Sequence, residues 1–245
     1  MKASSAISAY LRTFTMQGSW NYDRMVGTGV AFASEPILRE LPGGAEGAPY
    51  REALGRASQY FNGHPYLTPL AVGALARAEF DGVDRDQATR LRKALTGPLG
   101  SMGDKLIWAG ALPVSSAIGL GLAVTVSPIV AIVAALLVYN LVHLTVRTWA
   151  LAAGWRGSVH VAQQLGAPLL QRGLKIAGPA AGLAVGLALP LVAAWLVKDF
   201  DIRGLVGVGL IAASGLFIVN WVLPTLDAVR FALSVLVLAL IAGWL

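Results

Sequence analysis

The chain has 245 residues, 56% of them hydrophobic and only 13% charged, with a mean hydropathy of +0.65. A soluble domain carries about 25% charged residues, so this composition places much of the chain in a membrane. The formal charge is +6, but no basic run with interleaved aromatics occurs, which argues against a nucleic-acid partner. Cysteine is absent, which excludes disulfides, thiolate metal sites and thiol nucleophiles.

From the start, Lys2 leads into Ala3–Leu11 with Ser, Tyr and a quick return to Arg12, too polar for a cleavable signal. Insertion is therefore expected to rest on internal apolar segments. Ser5–Met25 is predicted as an amphipathic helix with Ile7, Leu11, Phe14, Gly18 and Met25 on one face. Gln17, Asn21 and Arg24 form a polar stripe beside that face. Glu35-Pro36 and Leu41-Pro42-Gly43-Gly44 mark breaks, with a loop to about Pro49. Tyr50–Phe61 is predicted as a short amphipathic helix, followed by a turn at Asn62-Gly63-His64-Pro65-Tyr66. Leu67–Phe80 is apolar and rich in small residues. Asp84 with Gln87 gives a capping-box-like start to a helix over Asp84–Leu95. Gly97–Lys105 is predicted as a Gly-rich loop at the membrane edge.

Lys105 and Arg147 enclose about forty residues without Lys, Arg, Asp or Glu, enough for two membrane passes. Ile176–Val197, Gly204–Leu226 and Phe231–Leu245 follow as further apolar stretches. The segment 147–175 carries Arg147, Arg156, Arg172 and Lys175 and no acid, whereas 198–203 is neutral. The positive-inside rule then puts 147–175 and the N-terminal half on the cytoplasmic side. The fold expected is an all-α integral membrane protein. Residues 1–105 form a polar region of amphipathic and re-entrant or broken helices, and 106–245 contribute about four to five apolar spans.

Candidate chemistry is sparse. Gly97–Lys105 lacks Walker spacing, because Lys105 follows Asp104. It fits a helix end, a proline stop and an Asp104 cap, or else a re-entrant segment lining a polar cavity. Gln17, Asn21, Asn62 and His64 are neutral hydrogen-bonding groups suited to sugar hydroxyls, and Trp20 offers a face for a pyranose ring. The same groups could simply cap and tie turns. His64 has no metal-spaced partner, and no metal site or cofactor is expected. Asn140, His143 and Arg147 share one helix face, as do Asn220 and Asp227; interhelical hydrogen bonding accounts for Asn140 and His143. Gly178, Gly182 and Gly186 form a small-residue packing face. No catalytic triad or carboxylate pair stands out, so no catalytic residue is assigned.

Three blocks carry a family resemblance: Phe14-Thr15-Met16-Gln17-Gly18-Ser19-Trp20-Asn21-Tyr22-Asp23-Arg24-Met25, Tyr60-Phe61-Asn62-Gly63-His64-Pro65-Tyr66 and Thr96-Gly97-Pro98-Leu99-Gly100-Ser101-Met102-Gly103-Asp104. In order and spacing they resemble the IID subunit of the mannose/fructose/sorbose-type phosphotransferase system. The resemblance departs from the family pattern at Gly63 and at Gly100-Ser101-Met102. It implies a non-catalytic membrane subunit in the bacterial cytoplasmic (inner) membrane that forms a hexose passage with a IIC subunit. Cytoplasmic IIA and IIB components would phosphorylate the sugar from phosphoenolpyruvate, and IIC–IID pairs would assemble further, in contact with membrane lipids. Gln17, Trp20, Asn21, Asn62 and His64 are then the expected sugar contacts, and Gly97, Gly100, Gly103, Asp104 and Lys105 the gating loop. The alternative is a transport-inactive membrane scaffold or sensor of the same descent.

Overall fold

Prolines set the helix starts. A computed structural model describes residues 1–196 and Lys198, all of the regular structure there being helical. Helix α3 (Ala48–Ala57), α4 (Pro69–Phe80), α6 (Pro98–Gly103) and α8 (Pro128–Gly157) each have Pro in the first two helical positions, where its missing N–H costs nothing. Asp84 caps α5 (Arg85–Leu95) by accepting the Gln87 N–H at 2.9 Å, as its spacing predicts. Ser127 caps α8 through the Val130 N–H.

The first helix is shorter than its periodicity predicts. Helix α1 covers Ala3–Arg12, then a 3₁₀ turn, Thr13–Thr15, leads into irregular turns. Arg147 donates to the Thr13 carbonyl, the acceptor a further helical turn would need, while the Thr13 and Thr15 hydroxyls donate back to the carbonyls of Tyr10 and Arg12. The apolar face of α1 points outward, with Ile7 and Leu11 each 60% exposed. A helix absent from the sequence reading, α2 (Gly27–Leu38), runs through Pro36. Proline there leaves the Phe32 carbonyl without its usual donor. Arg12 supplies one at 3.1 Å, pairs with Glu35 at 2.6 Å and lies 4.6 Å over the Phe32 ring, binding α1 to α2.

Helix α4 is buried on nearly every side, with Leu70, Ala71, Val72 and Ala74 fully enclosed. It crosses α8 at backbone contact. A Cβ on Gly73 would lie 2.4 Å from the Leu151 carbonyl oxygen, and one on Gly154 would lie 2.1 Å from that of Leu70. Ser158, just past α8, donates to Asp81 just past α4 at 2.7 Å. The N-terminal segment meets the same end of α8: Arg147 donates to Thr13, and Thr148 to the Tyr10 hydroxyl at 3.2 Å.

The expected Gly-rich loop is helical instead. Gly97, at φ 93, takes the break that ends α5, and Pro98 starts α6 immediately. The helix continues through a π-helical stretch, Asp104–Ala111, into α7 (Leu112–Thr125). Asp104 lies inside this helix and caps nothing. After a turn at Val126–Ser127 comes α8, and short α9 (Ala162–Leu165) leads to α10 (Pro168–Leu196). Arg147 lies within α8, not in a loop. Three stretches, Arg85–Thr125, Pro128–His160 and Ala162–Leu196, are long and apolar enough to cross a membrane, the first broken at Gly97. Ile129 and Leu141 on α8 are 76% and 70% exposed, surface suited to lipid. Gly204–Leu226, Phe231–Leu245, Asn220 and Asp227 lie outside the described residues.

Candidate functional site

Backbone hydrogen bonds bring the three sequence blocks together. The Val26 N–H donates to the Phe61 carbonyl at 3.0 Å and the Phe61 N–H to that of Arg24 at 3.2 Å, joining the first block to the second. Met25 takes a left-handed backbone (φ 51) to allow it. The Gly97 N–H donates to the Asn62 carbonyl at 3.2 Å and the His64 N–H to the Leu99 carbonyl at 3.3 Å, joining the second to the third. Glycine is required where they meet, because a Cβ on Gly103 would stand 2.1 Å from the His64 Cβ.

At this junction lies a cavity of about 330 Å³. Gln17 and Trp20 wall it from the first block, Asn62 and His64 from the second, and Gly97, Gly100, Ser101 and Asp104 from the third. Trp108 completes the wall. Gly97, Gly100, Ser101, Asp104 and Trp108 follow helical spacing, so one face of the helix begun at Pro98 forms a whole side of the cavity. Trp20 and Trp108 are both about half exposed. The side-chain amides of Gln17 and Asn62 make no hydrogen bond to the described residues and are free to donate and accept.

His64 has a double role. It is 2% exposed, and its Nδ1 accepts the Tyr66 N–H at 3.2 Å, so the neutral ring carries its proton on Nε2, which has no partner. Burial pushes its pKa down to about 4, nearby Arg147 adding to the effect and Asp104 opposing it. The imidazole is thus uncharged at neutral pH. Its Nδ1 also ties the turn, by accepting the Tyr66 N–H.

Two expected site residues stand apart. Asn21 spends its side chain locally, its Oδ1 accepting the Arg24 N–H at 2.9 Å and its Nδ2 donating to the Ser19 carbonyl, and it does not line the cavity. Lys105 is exposed and outside the wall. Trp108 was not foreseen, because its helical register with Gly97 and Asp104 disappears if that stretch is a loop.

Behind His64 lies an aromatic cluster reaching α8. His64 and Tyr66 ring centroids are 5.1 Å apart, Tyr66 stacks on His143 at 4.8 Å, and its hydroxyl bonds that of Tyr139 at 2.9 Å. Arg147, 2% exposed, lies 4.3 Å from the Phe14 ring and 4.9 Å from that of Tyr66, with no carboxylate partner among the described residues. His143 Nε2 meets Asn140 Oδ1 at 2.8 Å within α8, so these two make a contact inside one helix rather than between helices. No group of acidic or histidine residues suited to a metal occurs among the described residues.

Residues 1–198 match the family described as PTS system mannose/fructose/sorbose family IID component. The mannose-specific EIID component of Escherichia coli (strain K12) is 30% identical over 169 residues, 66% of this chain and 59% of that protein. The fructose permease IID component of Bacillus subtilis (strain 168) is 27% identical over 200 residues, 80% of this chain and 70% of that one. The chain thus matches well under two thirds of the length of the E. coli relative. A solved structure described only as a membrane protein superimposes with a TM-score of 0.74 at 22% identity, covering 99% of this chain and 96% of that one. The cryo-EM structure of the mannose transporter ManYZ with microcin E492 gives 0.61 at 23% identity, covering 100% and 96%. Both likenesses bear on the fold alone.

Proposed function

Because this chain belongs to the mannose/fructose/sorbose IID family of the phosphotransferase system, we propose that it forms, with a IIC membrane subunit, the passage of a hexose permease. The cavity where the three blocks meet is the part of that passage this chain contributes. The hexose enters unmodified and is phosphorylated by IIA and IIB components at the expense of phosphoenolpyruvate, while this subunit performs no covalent step. The N-terminal helices and the 158–167 turn lie on the cytoplasmic side of the bacterial inner membrane, because Arg156, Arg172 and Lys175 flank that turn without an acid among them.

One observation carries the reading: the wall combines neutral hydrogen-bonding groups (Gln17, Asn62, His64, Ser101) with two indoles (Trp20, Trp108). A pyranose needs just these, donors and acceptors for its hydroxyls and apolar rings for its C–H faces. A volume of about 330 Å³ accommodates one hexose.

Hexose uptake in cells that carry all partner subunits tests it. Asn62→Ala and Gln17→Ala should each assemble normally yet lower apparent affinity roughly five- to hundred-fold, the loss of a hydrogen bond of about 1–3 kcal/mol. Wild-type uptake in both, and in Trp108→Ala, would remove the cavity from the passage. A wild-type chain that assembles with its partners but supports no uptake would establish the scaffold or sensor alternative.

A further inference from the structure

Arg147 does not line the cavity, yet the segments it holds do. It stands on α8 and is 2% exposed, so its permanently charged guanidinium is cut off from water. No carboxylate pairs with it among the described residues. Two oxygens and two aromatic rings hold it instead. Its Nη1 donates to the Thr13 carbonyl and, at 3.0 Å, to the Thr13 hydroxyl, and Thr13 is itself fully buried. The Phe14 and Tyr66 ring centroids lie 4.3 and 4.9 Å from the guanidinium carbon.

Each of these contacts belongs to a segment that builds the wall. Thr13 and Phe14 open the turns that deliver Gln17, where the Gly18 N–H donates to the Thr15 carbonyl at 2.9 Å and the Trp20 N–H to that of Gln17 at 3.1 Å. Tyr66 follows His64 by two residues. Its ring centroid is 5.1 Å from that of the imidazole, and its N–H donates to His64 Nδ1 at 3.2 Å. That hydrogen bond leaves the ring proton on Nε2, the atom without a partner among the described residues and the one open to a sugar hydroxyl.

On the hexose-passage reading above, we infer that Arg147 is a positioning residue of the sugar site, touching no sugar but setting the orientation of the His64 Nε2–H and the place of Gln17. A planar guanidinium suits the task, because its faces meet aromatic rings while its edge donates to Thr13; an ammonium supplies the charge alone. The same charge acts on His64. The ionisable groups around that ring are Asp104 on the π-helical stretch, Arg147 and His143 on α8, and Tyr66; Lys105, next to Asp104, is exposed. Burial keeps the imidazole neutral, Asp104 opposes this and Arg147 reinforces it. A proton on Nδ1 would set two donors against each other at the Tyr66 N–H and release the ring. Arg147 thus has two separable effects, one of geometry and one of charge.

The test is equilibrium binding of radiolabelled mannose, between pH 8 and pH 5, to the purified full-length chain with its IIC partner. Wild-type affinity should stay flat over this range, since His64 titrates near 4. Arg147→Lys keeps the charge without the planar fork, and should bind about ten-fold more weakly at pH 8 yet stay flat. Arg147→Met should be at least as weak at pH 8 and lose roughly a further two-fold or more by pH 5, as His64 titrates about one pH unit higher. Adding His64→Gln to Arg147→Met should abolish that acid limb. Wild-type affinity in Arg147→Lys, a flat profile in Arg147→Met, or an acid limb that survives His64→Gln overturns the inference and leaves the hexose site standing. A residue that only supports the fold would lower yield and melting temperature without moving the pH profile. Should Arg147→Met fail to assemble, Arg147→Lys decides at pH 8. Mannose that binds an Asn62→Ala/Gln17→Ala complex as tightly as wild type overturns the hexose site itself, and this inference with it.

Discussion

Two sets of glycines contrast within the helices of this chain. Gly73 on α4 and Gly154 on α8 face each other's backbones so closely that a Cβ would fall 2.1–2.4 Å from a carbonyl oxygen. Gly178, Gly182 and Gly186 on α10 have the regular four-residue spacing of a helix-packing motif, yet a Cβ at any of them meets nothing within 4 Å among the described residues. The motif marks a face that can pack closely; the structure shows which face does. What distinguishes Gly73 and Gly154 is their partner, and the partner lies about eighty residues away in sequence.

The contrast breaks first at Gly154. Gly154→Leu should prevent stable folding, a loss of more than about 3 kcal/mol, because the obstacle is Leu70 backbone and not a movable side chain. Membrane-extracted protein would run as aggregate in size-exclusion chromatography; a monodisperse product would show the crossing to be looser than described. Next is Gly103→Ala, whose Cβ meets the His64 side chain at 2.1 Å. Displacing that imidazole should cost about 1–3 kcal/mol and lower uptake while preserving most of the fold, seen as a lower melting temperature with normal yield.

A smaller effect follows from pH. His64 titrates near 4 in the folded chain but at its ordinary 6.5 when unfolded. Its contribution to stability is complete above pH 6.5 and is lost as pH falls from there through 4, with a slope of at most about 1.4 kcal/mol per pH unit. Melting temperatures between pH 7 and 4 should therefore fall less steeply for His64→Gln than for wild type; parallel curves would contradict the buried, neutral imidazole. Smallest of all is Gly182→Ala, which should be neutral or stabilising by up to about 1 kcal/mol, since Ala favours helix and nothing among the described residues stands in its way. A strong loss of stability there would make α10 a packed crossing like that of α4 and α8.

Helices with local signals were legible in the sequence. Asp84 and Gln87 mark the start of α5, and the charge-free run between Lys105 and Arg147 encodes α7 and α8. Segments governed by distant partners were not. Thr13–Met25 has helical periodicity, but Arg147, more than a hundred residues on, takes the Thr13 carbonyl and the helix stops. Pro36 reads as a break, yet Arg12 satisfies the carbonyl it frees. Gly97-Pro98 reads as a loop, whereas Gly97 absorbs the turn in one residue and a helix resumes at once. That last difference hid Trp108 from the site. Asn62, His64 and Gln17 were visible as neutral polar groups beside the membrane region, but their convergence depends on backbone pairing of Val26 with Phe61 and of Gly97 with Asn62, which no local pattern reveals.

The central claim, that a hexose occupies the cavity between the three blocks, is open to one direct measurement. The chain has no cysteine, so Ser101→Cys places a single thiol in the cavity wall. Its rate of alkylation would be followed in membranes holding the chain with its IIC partner, with and without saturating mannose, beside Ser4→Cys on the exposed face of α1. The account predicts that mannose slows alkylation at position 101 by about ten-fold and leaves position 4 unchanged. Equal rates at position 101, in membranes that demonstrably bind mannose, would contradict it.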